Sequence, residues 1–134
     1  MILIGAVAPL SQPLSGKPGE PLCRSCATQS FSIREKQGQH FTLTVHFNEY
    51  RWGVTGTHWY LGFPVLVEYN DSRLRASHVT YRKKAKTIEA WGDVSLEEVS
   101  GKQERFDAAL FRMDSGRLAL IKLLDVKERT TFPK

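Results

Sequence analysis

The stretch Leu74–Leu96 limits what this chain can fold into more than any other. On its second arm Ile88, Ala90, Gly92, Val94 and Leu96 fall on one face, and Thr87, Glu89, Trp91, Asp93 and Ser95 fall on the other. A side-chain period of two with one apolar face is the pattern of a half-buried β-strand. The first arm, Arg73–Tyr81, reads as a strand as well, and the turn between them, Arg82–Lys86, is strongly basic. Two such arms predict a hairpin in a sheet with an apolar inner face, an architecture suited to binding before reaction.

The chain on either side extends the pattern. His40–Tyr50 alternates Phe41, Leu43, Val45 and Phe47 against His40, Thr42, Thr44, His46 and Asn48. Phe31–Lys36 is a weaker strand signal. The stretch holding Gly53, Gly56 and Gly62 reads as turns around a short strand, followed by a strand Val65–Tyr69 and a turn at Asn70-Asp71-Ser72. Arg105–Met113 meets Arg117–Leu124 across Asp114-Ser115-Gly116. This spacing predicts an all-β fold, a sandwich, roll or open barrel. Phe106, Ala109, Leu110 and Met113 also fit a helical face, as do Leu118, Ile121 and Leu124, so a C-terminal helix is the alternative. A shift of 30 residues sets Val79, Tyr81, Arg82, Ile88 and Ala90 against Ala109, Phe111, Arg112, Leu118 and Leu120, a weak internal echo of arm, turn and arm.

At 134 residues one domain is expected. Four of the six prolines (Pro9, Pro13, Pro18 and Pro21) lie before residue 30, among Gly16, Gly19 and several serines. Residues 1–29 therefore read as a Pro/Gly-rich arm or the remnant of a targeting segment, and residues 30–134 as a single β domain. Met1–Leu10 is apolar but too short to span a bilayer as a helix, and no transmembrane segment is expected. Ala6-Val7-Ala8 resembles a signal-peptide cleavage site, so a periplasmic or cell-envelope location follows only if an upstream signal exists.

The run Leu74-x-Ala-x-x-Val-x-Tyr, then Lys86-Thr-Ile-x-Ala-x-Gly-Asp-Val-x-Leu96, resembles the repeat of OstA-like domains, the group that includes periplasmic lipopolysaccharide-transport proteins. Phe106-Asp-Ala-Ala-Leu-Phe and Gly116-Arg-Leu-Ala-Leu resemble a following repeat, so the likeness covers residues 65–122 or so. Asp93 stands where Asn is common, and residues 31–64 do not follow the pattern. The resemblance implies a twisted antiparallel roll or jellyroll-like open sheet stack, partly open or V-shaped, whose apolar interior takes up acyl chains and whose ends stack on one another. It makes Leu74, Ala76, Ile88, Ala90, Val94 and Leu96 ligand-lining, with Tyr81 and Phe111 at the aromatic position of the repeat.

The chemistry of the residues bears on the same reading. Arg73, Arg75, Arg82, Lys83, Lys84 and Lys86 form a basic run with no acidic residue among residues 73–86, a candidate for contacting the anionic groups of a lipid or glycolipid. The same residues also read as a solvated hairpin tip and a blunted sheet edge. No H-E-x-x-H, G-x-S-x-G or P-loop sequence is present, and neither enzymatic activity, catalytic residues nor a cofactor is expected. Cys23 and Cys26 supply half a zinc site with no second pair, so no metal is expected and a local disulfide or incidental cysteines are the simpler reading. Two rivals remain. One is a protein-interaction module, or homo-oligomer, pairing through a sheet edge. The other is a basic single-stranded nucleic-acid binder stacking bases on Tyr50, Trp52, Trp59, Tyr60, Tyr69 and Tyr81. The nucleic-acid reading is the weaker one, because these aromatics and the basic run lie apart in sequence.

Overall fold

The computed structural model describes residues 26–133. Eight antiparallel strands form one sheet: β1 (Ala27–Arg34), β2 (His40–Phe47), β3 (Glu49–Trp52), β4 (Thr57–Tyr69), β5 (Ser72–Arg82), β6 (Thr87–Glu98), β7 (Gln103–Asp114) and β8 (Arg117–Leu123). They follow the order β1-β2-β4-β5-β6-β7-β8, with β3 also pairing β4. The fold is all-β and open, with no α-helix among the described residues. The expected arm over 1–29 lies mostly outside the described residues; β1 already begins at Ala27.

Three neighbouring strands break register at the same level. The irregularities fall between Leu61 and Val65 in β4, Arg75 and His78 in β5, and Trp91 and Val94 in β6. Bulges bend a strand and raise its local twist, and three in line make a crease. The sheet folds over along it, as corners form where strands switch layers through bulges. One leaf holds β1, β2 and the halves of β4, β5, β6 and β7 around Val67, Leu74, Leu96 and Glu104. The other holds β3, the halves around Tyr60, Val79, Ala90 and Ala109, and β8.

At the crease the Ser77 hydroxyl donates to the carbonyls of Trp91 and Gly92 at 3.3 and 3.4 Å. Gly92 adopts φ 87°, and a Cβ there would fall on the Ser77 hydroxyl. The earlier half of β4 corrects the expectation of turns around a short strand. Thr57–Tyr69 is one strand of 13 residues, because the bulge absorbs Gly62 to Pro64 without ending the ladder.

The helical alternative at the C-terminus is overturned. β7 and β8 form a hairpin whose central residues Ser115 and Gly116 have φ of 55° and 74°. Positive φ at both positions is the type I′ turn whose twist suits a two-residue hairpin. Ala109, Phe111, Met113 and Leu118 are buried, each facing inwards with period two, so the strand pattern wins over the helical face. The internal echo carries over: Val79, Tyr81, Ile88 and Ala90 are buried, as are Ala109, Phe111 and Leu118. Leu120 breaks it.

Candidate ligand-binding site

The apolar faces of the two leaves meet in one core. Leu74, Ala76, Val94 and Leu96 come from one leaf and Tyr81, Ile88, Ala90 and Phe111 from the other, and all eight are buried in the same cluster. The inward placement matches the alternation in the sequence. The groove expected along these residues is closed, however. Stacked sheets lie about 10 Å apart, and side chains from the opposite leaf fill that gap.

An aromatic group packs part of the interior, drawn from the segment that the sequence left unexplained. Phe31 on β1 lies 5.0 Å from the His58 ring and 5.1 Å from Tyr81. Phe47 packs on Tyr60 at 5.0 Å and on Tyr50 at 5.6 Å. The Tyr50 hydroxyl and His58 Nδ1 are hydrogen-bonded at 2.7 Å. Burial, with Lys83 adding to it, holds the His58 pKa below the usual histidine range. Burial pushes the Tyr81 hydroxyl up to about 12 and raises those of Tyr60 and Tyr69. These phenols stay protonated donors at ordinary pH. With Tyr60, Tyr69 and Tyr81 buried, they offer no stacking platform to bases.

Opposite the crease, the free ends of the leaves are fastened together. The Glu35 carboxylate, in the β1–β2 turn, accepts from the backbone N–H of Ser115 at 2.7 Å and of Gly116 at 3.0 Å, and from the Tyr69 hydroxyl at 2.5 Å. Asp71 N–H and Asn70 Nδ2 both donate to the Gly116 carbonyl at 3.1 Å. Lys86 Nζ donates to the Arg34 carbonyl, and Ser72 Oγ accepts from Leu118 N–H at 2.9 Å. No strand ladder joins β1 to β8 among the described residues, so the closure rests on these polar contacts and on core packing.

The six basic residues singled out by sequence do not converge. Arg73 and Arg75 alternate with buried Leu74 and Ala76 and so lie on the outer surface of one leaf, while Arg82 lies on the outer surface of the other. Arg73 is bound to Glu68 at 2.9 Å, and His46 Nε2 contacts the same carboxylate at 3.1 Å. The His46 hydrogen bond is the largest influence holding the Glu68 pKa below the usual carboxylate range, with Arg73 adding to it against burial. Arg75 lines a shallow outer cleft at the crease with Phe63, Ser77 and Arg105. Arg82 pairs with buried Glu89 at 3.0 Å. Thr130, in the C-terminal segment, donates its N–H and hydroxyl to Glu89 and accepts from Arg82 and from Trp91 Nε1. Only Lys83, Lys84 and Lys86 share the hairpin tip, where Lys83 and Lys84 are exposed. A strand places successive side chains on opposite faces and the crease divides the strand, so nearness in sequence did not become nearness in space.

The interior is unsealed on one side. Leu120 pairs with Phe111 across β7–β8, and Leu123 pairs with Ala109. Residues directly opposite in an antiparallel pair share a face, so both leucines belong to the inner face, yet they are 45% and 62% exposed. Beside them a cleft of about 700 Å³ is lined by Phe106, Leu123 and Val126, by Arg105 and Arg129, and by Asp93, Asp107 and Asp125. None of these was singled out as a site residue. The strand pattern marks Leu120 as inward, whereas Leu123, three residues on, joins that face only through the register shift between Leu110 and Phe111. The position of β8 at the sheet edge leaves both accessible.

No group of three or more His, Cys, Asp or Glu side chains able to hold a metal occurs among the described residues. Cys26 is disulfide-bonded, and Cys23 lies outside the described residues. No helix there is long and apolar enough to cross a membrane. Comparison with protein-family models, curated proteins and solved structures returned no match.

Proposed function

We propose that this chain is a non-enzymatic binder of an amphipathic lipid or glycolipid of the lipopolysaccharide type, working in the cell envelope as OstA-like domains do. The observation that carries the reading is the exposed end of the inner face at Leu120 and Leu123. An acyl chain entering there would extend the core rather than displace it, and each methylene removed from water contributes about 0.8 kcal/mol. The adjoining cleft falls within the usual size of small-ligand sites, with apolar Phe106 and Val126 beside Arg105 and Arg129. Deeper entry would require the contacts around Glu35 to release.

Native mass spectrometry tests this on protein purified from a Gram-negative host, before and after addition of lipopolysaccharide. A lipid-sized adduct supports the reading; a clean monomer under both conditions overturns it.

A second reading, pairing through a sheet edge, is favoured by β8 itself. It is an edge strand with Leu120, Ile121 and Leu123 exposed, and such strands are templates for added strands. Oligomers that dissolve in Ile121→Lys while lipid adducts stay absent would favour this reading over the first.

A further inference from the structure

The closed mouth of the folded sheet contains a pocket that no strand pattern foretold. It holds about 260 Å³ and is lined by residues from three separate turns: Lys36, Gln37 and Gln39 from β1–β2, Lys86 from β5–β6, and Arg112 with Asp114 from the β7 end. The geometry points to an anion site that takes a phosphate group, with Lys36, Lys86 and Arg112 as its cationic walls.

Charge balance is the first ground. Lys36, Lys86 and Arg112 take part in no ion pair among the described residues. The two carboxylates at the pocket are already engaged. Glu35 is held by Ser115 N–H, Gly116 N–H and the Tyr69 hydroxyl, and Asp114 accepts from the Ser115 hydroxyl at 3.3 Å. The pocket thus sets three cations against two carboxylates, neither of which is ion-paired with any of the three. Lys83 and Lys84, in the same turn as Lys86, raise the local potential further.

Backbone geometry is the second ground. Lys86 has φ 56°, a left-handed conformation that a residue with a Cβ adopts only at a cost. Its backbone is fixed there, because its carbonyl accepts from Met113 N–H at 3.1 Å. Its Nζ donates to the Arg34 carbonyl, which leaves two further donor positions on the ammonium. The fold thus holds a lysine where glycine would be easier, beside an arginine whose fork suits phosphate oxygens. The pocket volume suits a phosphate, a pyrophosphate or the phosphate of a headgroup. This site stands whether or not the interior takes an acyl chain.

The test is isothermal titration of the full chain with pyrophosphate at constant ionic strength, beside flotation with phosphatidate-containing and pure phosphatidylcholine vesicles. Lys36 and Arg112 are exposed, so Lys36→Gln and Arg112→Gln should fold, which their melting curves check. Each should weaken binding about tenfold or more, as expected for losing a charge-assisted hydrogen bond. Lys102→Gln combined with Lys127→Gln removes two charges outside the pocket and should change binding little. Saturable pyrophosphate binding with this pattern identifies a soluble phosphate ligand. The same pattern seen only on phosphatidate vesicles identifies a lipid headgroup. Absence of both, binding indifferent to Lys36→Gln and Arg112→Gln, or an equal loss in the control pair, overturns the site.

Discussion

The carboxylate of Glu35 accepts hydrogen bonds from the backbone of Ser115 and Gly116, eighty residues further along the chain. It holds the first hairpin of the sheet to the last. Glu35→Ala would strip these two N–H groups and the Tyr69 hydroxyl of their acceptor at once. Hydrogen bonds to a charged group contribute more than neutral ones, so the variant should lose about 2 kcal/mol or more in chemical denaturation. Under the lipid-binding proposal it should also take up an apolar dye faster than the wild type. A variant as stable as the wild type would show that core packing alone closes the leaves.

The crease makes a second demand, at Gly92. Its φ of 87° and the Ser77 hydroxyl at the place of a Cβ exclude a side chain on two separate grounds. Gly92→Ala should cost more than 1 kcal/mol. Ser77→Gly should recover part of that loss in the double variant, since it removes the clash but not the strained φ. Additive effects in a double-mutant cycle would rule out the contact.

What the sequence made legible was local. Alternation placed Ile88, Ala90, Val94 and Leu96 on one face, and each is buried there. The Asp114-Ser115-Gly116 break likewise suggested the last hairpin, and the β7–β8 turn lies there. The crease was not legible, since a bulge is one displaced residue and leaves no periodic trace. Without the crease, period two would put Arg73 and Arg82 on opposite faces of one strand, so that one of them would point inwards. The register shift between Arg75 and His78 lets both face outwards, each from its own leaf. Glu35, Lys36 and Arg112 were missed for a related reason. Their roles depend on turns distant in sequence that meet only when the leaves close.

Two histidines tie stability to pH. Burial holds the pKa of His78, and of His58 with help from Lys83, below the value of 6.5. Between each folded pKa and 6.5 the unfolded chain binds more protons than the folded one, so stability falls as pH drops through that window and is complete above it. The His78 ring stacks on Trp91 with centroids 3.6 Å apart, and His78→Phe keeps a ring there without a titrating group. Denaturation midpoints measured from pH 7.5 down to 5.5 should fall less steeply for His78→Phe than for the wild type. Equal slopes would mean that His78 titrates alike in both states.

Leu120 and Ala90 both belong to the inner face, and the same substitution should affect them differently. Ala90 is wholly buried, so Ala90→Arg would force an unpaired charge into the core and should unfold the domain or cost several kcal/mol. Leu120 is 45% exposed at the edge strand, where a long side chain can carry its charge to water. Leu120→Arg should therefore shift stability by about 1 kcal/mol or less. Under the lipid-binding proposal it should nevertheless abolish the lipid adduct, because it sets a charge across the accessible end of the apolar face. Melting curves and native mass spectra of the two variants together separate the possibilities. Unfolding of both would mean that the β8 side is sealed, and a stable Leu120→Arg that still carries lipid would place the entry elsewhere.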